Sequence, residues 1–169
     1  DDCSSDQTLN IAKRYFEKNS FLFKSIKVDF LVNKKRVGTC KSLLNALNHC
    51  RYFWVKPIAG DDLIDPSYAH QAMSVLSKNS FLAYLSTPRI IDSNSNRVNN
   101  LLEKIFDEYI EIYKYSPPLI RLSLLLTRMN IPTVSAMYSI DVLKKCLDSR
   151  ATIIEDWPLW INIFSRDIK

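Results

Sequence analysis

Apolar and polar positions follow two rhythms along the chain, and the switches between them mark its elements. Leu9, Ala12, Tyr15 and Phe16 recur at helical spacing and predict a helix from Ser5 to about Lys18, capped by Ser4 or Ser5. Ile26, Val28, Phe30 and Val32 then alternate with other residues and predict a half-buried strand. Asn33-Lys34-Lys35-Arg36 reads as a polar turn, and Leu43, Leu44 and Leu47 restore helical spacing from Gly38 to His49. Arg51 to Ile58 is a short apolar run that predicts a buried strand, with Pro57 marking its end because proline cannot donate to a ladder.

Asp65-Pro66 predicts a helix start, with Asp as the cap and Pro at the first helical position, and that helix runs to about Lys78. Phe81 to Leu85 predicts another strand, and the polar stretch from Asp92 to Asn96 a loop. Val98 to Tyr115 reads as a long amphipathic helix, and Pro117-Pro118 restarts an apolar one from Leu119 to about Met129. Ile131 to Met137 predicts a short extended segment, followed by helices from Ile140 to Leu147 and from Trp157 to Phe164. The helix–strand alternation through residue 90 implies an α/β fold, mostly a parallel sheet with helices on both faces.

The chain has 169 residues, 47% apolar and 24% charged, an ordinary globular composition with length enough for one domain spanning 1–169. No apolar run reaches the length of a membrane span. Gly38 and Gly60 are the two glycines, which excludes a glycine-rich dinucleotide fingerprint and a P-loop. Cys3, Cys40, Cys50 and Cys146 form no C-x-x-C pair, and His49 and His70 are isolated, which argues against a zinc site and for reduced thiols. The chain opens at Asp1 without a Met, and the Asp1-Asp2 pair reads as the end of a strand whose beginning is absent.

The net charge of +5 is uneven. Residues 1–60 carry eleven Lys/Arg against five Asp/Glu, whereas residues 61–169 carry twelve against thirteen. The excess lies between Lys24 and Lys41. It reads either as a solvated face or as attraction to anionic lipid headgroups or a phosphorylated ligand. Nucleic acid is the weaker partner, because the basic residues lack interleaved aromatics and no binding motif accompanies them.

Three acidic groups punctuate the apolar runs. Asp61 and Asp62 follow Gly60 after an apolar strand, and the cap at Asp65 makes neither necessary. Adjacent like charges repel unless a cation or ligand offsets them. Asp1 and Asp2 precede a helix start, where they either complement the helix dipole or, for Asp2, accept the imide N–H of a uracil ring. Glu155-Asp156-Trp157-Pro158 is a good helix start in which Asp156 is either a cap or a reacting base. Trp157 and Trp160 suit either a sugar-binding floor or a packed helix face.

Taken together, these groups resemble glycosyltransferase family 2, the inverting enzymes of the nucleotide-diphospho-sugar (GT-A) fold. Asp1-Asp2-Cys3-Ser4-Ser5-Asp6-Gln7-Thr8-Leu9 resembles that family's D-D-x-S-x-D-x-T-L stretch. Gly60-Asp61-Asp62-Leu63-Ile64-Asp65-Pro66 resembles its D-x-D-type metal motif, and Ser135-Ala136-Met137-Tyr138 with Glu155-Asp156-Trp157-Pro158-Leu159-Trp160 its acceptor strand and catalytic helix. Gly38, Asn45 and Ala46 match the intervening loop and helix. The resemblance implies that the family's opening strand and first helix would stand before Asp1.

The resemblance implies Asp156 as catalytic base, Asp62 as ligand of Mg²⁺ or Mn²⁺, and Asp2 and Asp61 at the nucleotide. Glu155, Trp157 and Trp160 fall near the acceptor, and the helical segment 98–130 on the acceptor side, although its apolar content suits core better. The implied donor is a nucleotide-diphospho-sugar, a UDP-sugar first, and the acceptor a saccharide or lipid-linked saccharide. The implied setting is bacterial surface polysaccharide or lipid-linked oligosaccharide synthesis in the cytoplasm, with membrane contact through the basic 24–41 region. The rivals are a metal-dependent nucleotidyltransferase or phosphohydrolase, and a non-catalytic nucleotide-sugar-binding remnant.

Overall fold

A computed structural model describes residues 1–98, 101–127, 131, 133–150 and 156–166. The helices stand where the 3.6-residue spacing puts them: α1 (Thr8–Lys18), α2 (Thr39–Leu47), α3 (Tyr68–Leu76), α4 (Leu101–Tyr115), α5 (Pro118–Thr127), α6 (Ile140–Cys146) and α7 (Asp156–Ser165). The strands are shorter than expected: β1 (Trp54–Val55), β2 (Ala83–Leu85) and β3 (Ala136–Ser139). The segment expected to be extended from Ile131 becomes a 3₁₀ turn at Thr133–Ser135, so β3 starts at Ala136.

The expectation of a mostly parallel sheet is corrected. Among the described residues, the three strands lie in the order β1-β3-β2, and both pairings are antiparallel. The reason lies in the connections. A short helical crossover returns the chain in the same direction, but β2 and β3 are separated by α4 and α5, which leave β3 free to enter the other way. Beyond the strands themselves, the Ser139 N–H donates to Leu82 C=O, and the Ser86 N–H to Ser135 C=O.

One parallel contact exists elsewhere. The Asp1 backbone nitrogen donates to Leu31 C=O at 2.7 Å, and the Asn33 N–H donates to Asp1 C=O at 2.9 Å. One residue bonded to two that flank a third is the parallel pattern, with Asp1 opposite Val32. The rest of the expected Ile26–Val32 strand has no ladder, and Ile26, Phe30 and Val32 stay exposed.

The sheet is covered on both faces, as expected for an α/β fold. Tyr138 and Ala136 of β3, with Val55, Ala83 and Leu85, face the main core of α2, α5, α6 and α7. Met137, with Trp54 and Tyr84, faces the other way onto Ala72 and Leu76 of α3. The period-2 alternation of the strands thus divides the apolar side chains between two clusters. α1 is different: none of its residues is buried. Its aromatic side packs locally, Phe16 lying 4.5 Å from Phe23 and 5.5 Å from Phe30 between ring centroids.

Two leucines on helices should separate core from surface. Leu143 on α6 is fully buried, whereas Leu119 on α5 is 80% exposed. Leu143→Ala is expected to lower unfolding free energy by about 2–5 kcal/mol, and Leu119→Ala by no more than about 0.5 kcal/mol. Urea denaturation followed by circular dichroism measures both, and equal midpoints would contradict this core.

Candidate active site

The Asp1-Asp2 segment is folded around its own carboxylates. Asp1 accepts the Ser4 N–H at 2.9 Å and the Ser4 hydroxyl, closing a tight turn that holds Cys3 at φ 61°. Helix α1 is capped by neither Ser4 nor Ser5: Asp6 accepts the Thr8 N–H at 2.9 Å. Asp2 is turned onto the 33–38 loop. Its Oδ1 accepts the Val37 N–H and the Asn33 amide, both at 2.9 Å, and its Oδ2 accepts the Gly38 N–H at 2.8 Å.

Gly38 takes φ 88°, a conformation that suits glycine, and leads directly into α2. The Val37 N–H first, then the Asn33 amide and the Gly38 N–H, hold the Asp2 carboxyl down at about 2. A carboxylate has about four lone-pair positions. Three are filled by these donors, and the Ser42 side chain adds a further stabilising contact to the same carboxylate. Beside this clamp lies a small hollow of about 260 Å³ lined by Asp1, Asn33, Ser42, Asn45 and His49.

Asp61 and Asp62 sit on a turn beyond β1, closed by the Asp62 N–H donating to Ala59 C=O at 3.3 Å. Among the described residues, no side chain gives either carboxylate a hydrogen bond or an ion pair. Asp65 differs, because it accepts the Ser67 N–H at 2.8 Å and the Ser67 hydroxyl at the entry to α3. The helix starts at Tyr68 with Ser67 at its cap position, so the expected Asp65 cap becomes a turn just before α3, separate from the Asp61-Asp62 pair.

Lys56, which the sequence pattern did not single out, organises this end of the sheet. Its ammonium donates to Pro57 C=O at 3.2 Å and to Val134 C=O, and lies 5.0 Å from the centre of the Tyr68 ring. Burial pulls its pKa down from the usual ammonium value, and the Asp62 charge works against that fall. A lysine inside the apolar run Tyr52-Phe53-Trp54-Val55 and Pro57-Ile58 was the available signal.

Because β3 runs opposite to β1 and β2, the exits of β1 and β2 lie beside its entry. The Asp61-Asp62 turn, the loop after β2 and residues 133–135 therefore gather at one end of the sheet. The loop after β2 is fixed by buried Glu103, which accepts the Ile90 N–H at 2.7 Å and pairs with Arg97 at 2.9 Å.

Helix α7 is tied to the same neighbourhood. The Trp160 indole donates to Ile131 C=O at 2.7 Å, and that of Trp157 to Leu125 C=O at 2.6 Å. Asp156 lies in the first turn of α7, partly exposed, and Trp157 is 45% exposed. Trp160 is only 3% exposed and packs on Tyr138 and Phe164, a core position rather than an open sugar floor. Glu155 lies outside the described residues. No hydrogen bond or ion pair among the described residues joins Asp2 to Asp61 or Asp62.

Hard carboxylate oxygens without other partners suit a hard divalent cation, so Asp61 and Asp62 fit Mg²⁺ or Mn²⁺. Among the described residues there is no group of three or more His, Cys, Asp and Glu placed to hold a metal. A cation held there would need most of its ligands from outside the protein.

The family model described as "Glycosyl transferase family 2" matches residues 1–147. The match contains Asp2, Asp61 and Asp62 and ends before Asp156, Trp157 and Trp160. No curated protein matches the chain.

The Asp2 clamp has a direct test. Its folded pKa is depressed, so its stabilising contribution is complete above about pH 3.8 and is lost as pH falls through about 2. At neutral pH, Asp2→Ala is expected to speed exchange of the Val37 and Gly38 amide protons roughly tenfold or more, leaving α6 unchanged. Unaltered exchange at both amides would show that the loop stands without Asp2.

Proposed function

The chain belongs to glycosyltransferase family 2, and on that footing we propose that it transfers a sugar from a nucleotide-diphospho-sugar to an acceptor hydroxyl with inversion. Family membership itself carries glycosyl transfer and the binding of a donor and an acceptor. The observation that carries the finer reading is the Asp61-Asp62 pair. It lies inside the matched region, on a turn at the sheet end, where among the described residues neither carboxylate accepts a side-chain hydrogen bond and the Lys56 charge acts on Asp62. In this reading the GT-A fold supplies the frame, and a UDP-sugar is the favoured donor.

Asp62 would hold Mg²⁺ or Mn²⁺, and Asp61 would face the nucleotide. The cation supplies neutralisation of the charge that grows on the departing diphosphate. Asp2 is the carboxylate set at the nucleotide base. Lys56, with its positive charge close to Asp62, keeps the turn in place through Val134.

Asp156 takes the proton from the acceptor hydroxyl as that oxygen attacks the anomeric carbon. The new C–O bond forms on the face opposite the breaking one, and the bonding electrons leave with the nucleoside diphosphate. One displacement inverts the centre and needs no covalent enzyme intermediate. Trp157, half-exposed beside Asp156, is the acceptor-side aromatic, with Glu155 as its neighbour in sequence.

The biological setting follows the family reading: a bacterial surface polysaccharide or lipid-linked oligosaccharide, built at the cytoplasmic face of the membrane. The 24–41 region supports surface contact by its excess of Lys and Arg. Among the described residues, no helix is long and apolar enough to cross a membrane.

Two substitutions test the chemistry. Asp62→Asn is expected to abolish metal-dependent binding of a nucleotide sugar, read by thermal shift with and without Mn²⁺. Asp65→Asn keeps a side chain able to close the same turn and should leave that binding intact. Metal dependence that survives in Asp62→Asn would remove the assignment.

Asp156→Asn retains any capping role, because Asn caps as well as Asp. It cannot take the proton, so turnover at saturating donor is expected to fall roughly 10²–10⁴-fold with donor affinity kept. Wild-type turnover in this variant, at an unchanged melting temperature, would return Asp156 to a structural role.

A further inference from the structure

Away from the acidic turn, a cavity of about 620 Å³ opens between β2, α4, α5 and α7. Its volume lies within the range of small-molecule sites, about 300–1,000 Å³. The wall is apolar, with Phe81, Leu85, Tyr113 and Phe164 among its residues, and two cations complete it, Lys114 and Arg121.

Arg121 is the unusual member. Its Nη2 donates to Lys114 C=O at 3.3 Å, and its guanidinium carbon lies 5.8 Å from the centre of the Phe164 ring. Its Nε is buried and has no hydrogen-bond partner, and among the described residues no carboxylate pairs with it. Guanidinium stays charged at any ordinary pH, and a buried N–H without an acceptor is unfavourable. Lys114 stands on the exposed rim, 3.6 Å from Glu111, a separation typical of a weak surface pair. The cavity therefore combines apolar walls with the Arg121 charge, which no carboxylate among the described residues offsets.

We propose that this cavity binds a single-chain anionic amphiphile, its hydrocarbon chain against Phe81, Leu85 and Phe164 and its acidic head on Arg121 and Lys114. An anionic oxygen satisfies the Arg121 Nε and neutralises the guanidinium, while the chain removes apolar wall from water. A neutral ligand leaves the charge unmatched, and a small anion leaves the wall wet. The proposal stands on the cavity itself and does not depend on the identity of the donor.

Three probes separate the contributions: dodecyl phosphate, dodecanol and inorganic phosphate, each titrated below micelle formation and followed by tryptophan fluorescence and calorimetry. Dodecyl phosphate is expected to bind at least tenfold more tightly than either of the others. Lys114→Gln, an exposed change that leaves the fold intact, should weaken it several-fold. Arg121→Gln should weaken it at least tenfold, with dodecanol binding unchanged in both variants. Equal binding of dodecanol and dodecyl phosphate, insensitivity to both substitutions, or no binding of dodecyl phosphate would each overturn the proposal. If Arg121→Gln lowers the melting temperature, Lys114→Gln alone decides the head-group contact.

Discussion

The burial of β3 on both faces is the constraint on which this structure rests. All four of its residues are buried, and both other strands pair with it rather than with each other. Two- and three-residue strands have too few ladder bonds to persist alone. They persist here because Tyr138 sits between Val55 and Ala83 on one face, and Met137 opposes Tyr84 on the other. Helices α2, α5, α6 and α7 close one side and α3 the other. Withdraw β3, and β1 and β2 have no hydrogen-bond partner, and the two apolar clusters no shared wall.

The same strand decides where chemistry can gather. Running against its neighbours, it brings its entry next to their exits, so the Asp61-Asp62 turn stands close to the 133–135 turn that Lys56 grips. Among the described residues the acidic pair accepts no side-chain hydrogen bond, whereas other carboxylates are engaged: Asp65 by Ser67, Asp92 by Asn94 and Asn96, Glu103 by Arg97 and Ile90. A fold that satisfies most of its acids locally and leaves two adjacent ones open concentrates negative potential at one point.

The helices were legible because helical spacing is a local property, and each of the seven lies within a few residues of its expected place. Strand direction was not legible. It depends on how α4 and α5 return the chain, and no local pattern in 81–139 encodes that. Lys56 was hidden for a related reason: its acceptor at Val134 lies far along the chain, and a lysine before a proline reads as the end of a strand. Trp157 and Trp160 share one spacing but not one fate, since a three-residue step cannot say which ring turns to the core. Asp2 shows a partial success. Its position marked a special carboxylate, but the Val37 and Gly38 amides that occupy it come from a loop that reads only as polar.

The order of the elements along the chain also sets a timetable. Trp54 and Val55 leave the ribosome long before Ser139 and Tyr138, the residues they must pair with. At about 5–20 residues per second, β1 waits several seconds for its neighbour, and β2 waits roughly two-thirds as long. Their open edges and the apolar faces of α2 and α3 stay uncovered through that interval. The central strand is thus the late piece of its own core. In the cell, the period before Ala136 appears is when this chain is most exposed to aggregation and most in need of a chaperone.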